Sequence, residues 1–130
     1  MAITLLDDVE TVVYTEGTTP DYTAQLVDRD LNPVDGDVLD TLTLKYYQEY
    51  TEEIINGRNA QSVHNANDVT IDNTGLMRWR LRPEDTVIKD DALHQEPHIA
   101  LFEFSYAGPN GTEYGKHQVR FLITNVSKVP

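Results

Sequence analysis

The sequence contains no cysteine, and this absence excludes two kinds of structure. Neither a disulfide framework nor a thiolate metal site is possible, so packing and hydrogen bonds must hold the fold. Long apolar runs are also missing, since none approaches the roughly 20 residues that a membrane-spanning helix needs. Residues 1–8 have no basic region and turn acidic before a signal core could form, so we expect neither secretion nor a membrane partner.

Basic residues are scarce as well. The 130 residues include 10 lysines and arginines against 22 aspartates and glutamates, which gives a formal net charge of −12. Because phosphate binding depends on lysine and arginine, this composition argues against a nucleic-acid partner. Residues 1–56 hold thirteen acids and two bases (−11), whereas the remainder holds nine acids and eight bases (−1). This asymmetry has two interpretations. One is that the charge serves solubility alone, and the other is that one part of the molecule repels other copies while another part docks onto a partner.

Short segments of alternating polarity, separated by turn residues, recur along the chain, and no segment keeps a helical period over three turns. This pattern is typical of an all-β sandwich or barrel. Apolar residues on both faces of residues 98–106 predict a central strand. Seven or eight strands in a single domain, residues 1–130, predict an immunoglobulin-like antiparallel β-sandwich, with residues 1–10 as an extended N-terminal arm. The candidate strands are residues 11–15, 22–27, 39–48, 51–55, 69–71, 76–82, 98–106 and 116–125.

The most informative strand is residues 76–82. Met77, Trp79 and Leu81 fall on one side of it, because strand side chains alternate with period two. A large aromatic residue between two aliphatic residues on the same face predicts a core position for Trp79. An exposed platform for a ligand is the alternative.

The opposite side of this strand carries a row of three arginines, Arg78, Arg80 and Arg82, which Arg120 extends. One interpretation is a solvated sheet face whose arginines pair with the protein's own excess acids. The other is a docking face for a carboxylate-rich partner, because guanidinium groups bind carboxylates through two parallel hydrogen bonds.

Two further segments are candidate contact elements. Residues 56–68 are polar and rich in asparagine, and a loop of this length is either functional or a mobile hairpin tip. Its candidate partner-binding residues are Arg58, Asn59, Gln61 and His64. At the N-terminus, apolar residues precede the first acids and could add a strand to a neighbouring molecule. These residues are Ile3, Leu5 and Leu6.

Metal sites are weakly indicated. Asp28-x-Asp30-x-Asn32 begins like a calcium loop, but Pro33 replaces the expected glycine and Leu39 replaces the bidentate glutamate. A looser calcium site among the acids of this turn stays open.

A second weak metal candidate is His94-x-Glu96-x-His98, which would place three possible zinc ligands on one strand face. Pro97 is expected to interrupt the ladder there. We therefore expect no metal and no other cofactor.

Catalytic signatures are weaker still. The serines are Ser62, Ser105 and Ser127, and none lies in a strand–turn–helix elbow. Carboxylates are abundant, but nothing selects a pair held at a fixed separation in a cleft. We predict no catalytic residues and a protein that is not an enzyme.

With the strands placed, the chain resembles the small immunoglobulin-like virion proteins of tailed bacteriophages. The strings that carry the resemblance are LTLKYY at 42–47, INGRNAQSV at 55–63, VTID at 69–72, ALFEF at 100–104 and GKH at 115–117. The resemblance implies a capsid decoration (cement) protein, made in the host cytoplasm and located on the capsid surface of the virion. Its implied partners are the major capsid protein and neighbouring copies of itself, in a trimer or symmetric cluster.

Two alternatives remain. A head–tail connector, tail or baseplate component could have the same fold, and the family offers no catalytic residues for this chain. From another class, a carbohydrate-binding module could use aromatic side chains as a sugar platform. The candidate aromatics are Trp79, Tyr46, Tyr47 and Tyr50.

Overall fold

The structure is a computed structural model that describes residues 10–128. The N-terminal arm predicted for residues 1–10, with its contact residues Ile3, Leu5 and Leu6, therefore lies outside the described residues except for Glu10. Eight strands and two short 3-10 turns, Gly36–Val38 and Val126–Lys128, make up the regular structure of the described residues, which confirms the all-β prediction. The strands are β1 (Glu10–Thr15), β2 (Asp21–Gln25), β3 (Leu39–Gln48), β4 (Gln61–Ser62), β5 (Val69–Ile71), β6 (Leu76–Arg80), β7 (Gln95–Gly108) and β8 (Gly111–Thr124).

Two sheets pack face to face as an immunoglobulin-like sandwich. The larger sheet has the strand order β1-β8-β7-β3-β4, and the smaller has the order β2-β6-β5. Strand β7 lies in the middle of the larger sheet, which confirms the central strand predicted from its two apolar faces. All pairs are antiparallel except β1 with β8, which run parallel from the Glu10–Val119 pair to the Thr15–Thr124 pair.

The core lies between the sheets and follows the period-two alternation. On β6, Met77 and Trp79 are fully buried while the residues between and beside them are exposed. The Trp79 ring packs against the rings of Tyr46, Phe102 and Phe121, with centroids 5.1, 5.9 and 5.8 Å away. Trp79 is thus a core residue as predicted, and its interpretation as a ligand platform is wrong. Tyr46 is fully buried too and cannot serve as one either.

Pro97 does not interrupt the ladder, contrary to expectation, because β7 runs through it from Gln95 and pairs it with Leu122. Its carbonyl oxygen accepts from the Glu49 N–H at 2.9 Å, just past the end of β3. Since the N–H and C=O of one strand residue point to the same side, the missing proline N–H faces the space beyond β3. The pairing with β8 therefore loses no hydrogen bond.

The asparagine-rich segment 56–68 is folded against the sandwich. Ile55 just before the segment and Val63 within it anchor the segment with no exposed surface, and β4 pairs part of it with β3. Several of its residues take left-handed backbone conformations, which asparagine and aspartate accept more readily than most residues. The strand predicted for residues 51–55 reduces to a single bridge between Tyr47 and Ile54.

Candidate functional site

Arg58 lies inside the protein, with only 2% of its surface exposed. Its Nε donates to Asp85 Oδ1 at 2.7 Å, and its Nη2 donates to Asp85 Oδ2 at 3.0 Å and Asp68 Oδ2 at 3.1 Å. Its Nη1 donates to Gln61 Oε1 at 2.8 Å and to the Asn67 carbonyl oxygen at 3.0 Å. All five N–H donors of the guanidinium are therefore used. The prediction that Arg58 contacts a partner is wrong, because the fold places its side chain inside and satisfies it there.

Asp85 connects this arginine to the turn that follows β6. Its carboxylate has no exposed surface and also accepts from Asn56 Nδ2 at 3.0 Å and from the Arg82 backbone N–H at 2.8 Å. The last contact resembles one of the two hydrogen bonds of a capping box. In that bond, the side chain of an acid accepts from the backbone N–H of the residue three positions before it, at the start of a helical turn. Residues 82–86 form one such turn, in which the Arg82 carbonyl oxygen accepts from the N–H groups of Asp85 and Thr86. The cluster thus joins loop 56–68 to the connection between β6 and β7.

Arg82 closes the cluster at the surface. Its Nε and Nη2 donate to Asp68 Oδ2 at 2.7 Å and Oδ1 at 2.9 Å, and its side chain is 60% exposed. The hydrogen bond from Arg82, helped by that from Arg58, outweighs burial and holds the pKa of Asp68 below its ordinary value. Burial lowers the pKa of Arg58, but its bonds to Asp85 and Asp68 prevail and raise it. Both groups are charged at neutral pH.

A polar depression of about 430 Å³ lies over this cluster and brings together three predicted contact residues, Arg58, Gln61 and Arg82. Of the other two predicted in the loop, Asn59 is exposed. His64 is half-buried, and its Nε2 donates to the Gly36 carbonyl oxygen at 2.6 Å. The depression is lined by Asn56, Arg58, Gln61, Asn67, Asp68, Arg82 and Glu84.

The outer face of the three-stranded sheet carries the rest of the arginine row. Arg80 donates twice to the Asp21 carboxylate, at 2.6 and 3.1 Å, and this bond holds the pKa of Asp21 below its ordinary value. Self-pairing is therefore confirmed for Arg80, as it is for Arg82. Arg78 is different. Its side chain is exposed between Thr23 and Thr70 on the neighbouring strands and makes no ion pair or hydrogen bond with residues 10–128, although its charge helps to lower the pKa of Asp21.

Arg120 does not extend this row, because it lies on β8 in the other sheet. Its Nε donates to Glu49 Oε1 at 2.7 Å, and this contact crosses β7, which lies between β8 and β3 in the sheet. Ile99 of β7 is the register partner of Arg120 and of Tyr47, and it is fully buried although it does not belong to the core cluster between the sheets. The Arg120–Glu49 pair therefore covers an apolar strip on the outside of the larger sheet.

The residues His94, Glu96 and His98 do not form a ligand triad. His94 is exposed and precedes β7, whereas Glu96 and His98 are fully buried and the His98 Nε2 donates to Glu96 Oε2 at 2.5 Å. Burial raises the pKa of Glu96, but the hydrogen bonds from His98 and from the backbone N–H groups of Lys89 and Asp90 prevail and lower it. Nowhere in the described chain do three or more histidines and acids stand close enough to hold a metal ion.

This second network meets the first at the turn 82–86. The Tyr46 hydroxyl lies 3.0 Å from His98 Nδ1 and donates to the Asp85 carbonyl oxygen at 2.8 Å. Glu96, His98 and Tyr46 form a row of hydrogen-bonded groups that could support proton transfer, but none of them has exposed surface. Their geometry instead satisfies buried polar groups while connecting β3, β7 and this turn. Sequence alternation could locate the inward faces of these strands but not which polar groups they would bring together.

The acids of the turn after β2 have structural roles as well. Asp28 Oδ1 accepts from the backbone N–H groups of Asp30 and Asn32, and Asp35 Oδ1 accepts from that of Asp37. These are turns in which the aspartate side chain bonds the backbone of its own turn, as aspartate favours.

Among the residues that the structure describes, no helical segment has the length and apolar character that a membrane span requires.

Comparison with known proteins found no relative: no family model matches the chain, and neither does a curated protein or a solved structure. The fold and the exposed surfaces therefore carry the functional argument, together with the sequence resemblance described above.

Proposed function

We propose that this protein is a non-enzymatic virion protein of a tailed phage, a capsid decoration protein that docks on the shell through the outer face of its three-stranded sheet. The sequence resemblance supplies the class. The observation that carries the docking face is the uncommitted guanidinium of Arg78 on an exposed sheet.

The surroundings of Arg78 suit a protein partner. On either side, the strands present the short side chains of Thr23 and Thr70, so the guanidinium is not screened by bulky neighbours. Arg80 is held in place by Asp21, which leaves Arg78 as the arginine of the pair that can accept a new carboxylate. A planar guanidinium on a flat sheet favours a carboxylate-bearing patch of the major capsid protein, with neighbouring copies of this protein completing the cluster.

The interior is consistent with this role. The groups that could support chemistry, Glu96, His98 and Tyr46, are bonded to one another without exposed surface. Arg58 and Asp85 likewise satisfy each other inside the fold. Such polar networks fix one packing arrangement in a protein that has no disulfide to do so.

Quantitative mass spectrometry and electron cryo-microscopy of virions from the phage encoding this chain test the proposal. A decoration protein is expected in hundreds of copies with density on the shell, whereas a neck ring, one form of the alternative, is expected in about a dozen. Absence from purified virions would remove the virion class altogether.

The docking face has its own test. Arg78→Ala should lower shell occupancy while the purified protein stays folded, because the side chain has no bond to lose within residues 10–128. Lys116→Ala is the matched control, since Lys116 is an exposed cation (68%) on the other sheet. Equal occupancy for both variants would place docking elsewhere on the molecule.

A further inference from the structure

A groove of about 330 Å³ lies at the end of the sandwich where the β2–β3 connection meets the β7–β8 hairpin. Its apolar lining includes Val38, whose surface is 63% exposed although it lies next to the start of β3. Exposed valine at the wall of a groove is surface that a partner can cover. The apolar lining residues are Pro33, Val34, Val38, Tyr106, Ala107 and Pro109.

The rim of this groove is acidic. Four carboxylates border it, and a single guanidinium, that of Arg29, lies 3.9 Å from one of them, Glu113. Asp28 and Asp35 accept the hydrogen bonds of their own turns through Oδ1 alone, so the second oxygen of each carboxylate has no hydrogen bond within residues 10–128. The carboxylate of Asp30 has no partner within residues 10–128. The local charge is thus strongly negative beside an apolar wall.

Leu31 adds an independent observation in the same loop. Its side chain is 77% exposed, and its backbone has a φ of 65°. Left-handed backbone is unfavourable for an L-residue, and this leucine gains nothing from burial to offset it. The loop therefore presents a large apolar side chain at some cost in stability, as binding loops often do.

We propose that this groove binds an extended basic segment of a partner protein, with one aliphatic side chain in the groove and lysine or arginine on the acidic rim. Charge complementarity selects the sign of the partner, and the apolar wall selects an aliphatic anchor between the cations. The inference goes beyond the proposed function, because this surface has the opposite charge to the Arg78 face and does not depend on it.

The test uses three synthetic peptides titrated into the isotope-labelled full chain, followed by amide NMR shifts. Acetyl-KRLRK-amide is the proposed ligand type, acetyl-KRSRK-amide lacks the anchor, and acetyl-EDLDE-amide reverses the charge. We expect KRLRK to shift amides in residues 28–38 and 106–113, and KRSRK to bind about tenfold more weakly, because it lacks the aliphatic side chain that the groove would bury. EDLDE should not bind.

Variants localise the effect. Val38→Ser and Asp30→Asn should each weaken KRLRK binding, and both change exposed side chains, so an unchanged spectrum elsewhere verifies the fold. Val126→Ser and Glu52→Gln are the matched controls, an exposed valine (54%) and an exposed acid outside the groove. Equal binding of KRLRK and KRSRK, shifts spread over the whole acidic surface, or wild-type binding by Val38→Ser would each overturn the proposal.

Discussion

Arg58 and Asp85 form a two-point ion pair in the interior, with Nε–Oδ1 and Nη2–Oδ2 distances of 2.7 and 3.0 Å. The pair joins two segments that share no strand pairing, loop 56–68 and the turn 82–86. Because both side chains have 2% exposure or less, each is the main compensation for the other's lost hydration. The pair therefore holds a long polar loop on the sandwich.

Arg58→Ala should lower the free energy of unfolding by about 3–5 kcal/mol, because it leaves the Asp85 carboxylate buried without its cation. Arg80→Ala is the matched control. Its side chain is 64% exposed and pairs with a partly exposed Asp21, so its loss should destabilise the protein far less than the loss of Arg58. Urea unfolding at pH 7 measures both.

A double-mutant cycle separates the pair from its surroundings. We expect Arg58→Ala combined with Asp85→Ala to cost clearly less than the sum of the two single changes, because the second change removes the stranded charge. A coupling energy below about 0.5 kcal/mol would contradict a strong interaction between these side chains.

Trp79 offers a prediction in two parts. Trp79→Ala should cost roughly 3–5 kcal/mol, since the ring is fully buried among three other rings. Trp79→Phe should cost much less, because the indole Nε1–H has no hydrogen-bond partner in the described structure and its removal relieves an unsatisfied donor. Thermal and urea unfolding of the two variants provide the comparison, and equal losses would contradict the prediction.

Gly36 is required by the close approach of a neighbouring turn. A Cβ at this position would lie 2.4 Å from the Asp72 carbonyl oxygen and 2.6 Å from Ile71 Cγ1. The Gly36 N–H also donates to the same carbonyl oxygen, so the backbone cannot easily move away. Gly36→Ala should therefore destabilise the protein by about 1–3 kcal/mol, as overpacking typically does. Wild-type unfolding behaviour in urea would show that this contact relaxes freely.

Much of the fold could be predicted because strand alternation is a local property. The bounds of β3 and β5 agree with the predicted segments, and Trp79 is inside as its flanking residues indicated. The parallel pairing of β1 with β8 could not be predicted, because alternation records which face a side chain takes and not which neighbour a strand chooses. Whether Pro97 removes a hydrogen bond from the sheet depends on the same choice of neighbours, because its missing N–H matters only on the side where it would meet a paired strand.

The candidate site was less accessible to sequence reasoning. Arg58 occurs among polar, turn-forming residues, which normally indicate a solvated loop, and its partner Asp85 is 27 residues away. Nothing local distinguishes an arginine that binds a distant buried carboxylate from one that faces solvent. For Arg80 and Arg82 the excess of acids made self-pairing the natural expectation, and the structure identifies Asp21 and Asp68 as the acids concerned.

We expect two buried histidines to make the free energy of unfolding depend on pH. Burial lowers the pKa of both His98 and His117 from the ordinary value, since it penalises the imidazolium. His98 donates to Glu96, and the Nε2 of His117 lies 2.6 Å from the Tyr22 hydroxyl. The unfolded chain takes up protons on these rings as the pH falls through about 6.5, whereas the folded protein takes them up only at lower pH.

Below about pH 6.5 these two rings bind more protons in the unfolded state than in the folded state, so their contribution to stability decreases on acidification. We expect the free energy of unfolding in urea to decrease steadily from pH 7 to pH 5. His117→Gln should make this decrease shallower, and His98→Gln together with His117→Gln should remove most of it. His94→Gln is the control, because that side chain is exposed. A flat profile in the wild type, or an equally steep one in the double variant, would refute the assignment to these two buried rings.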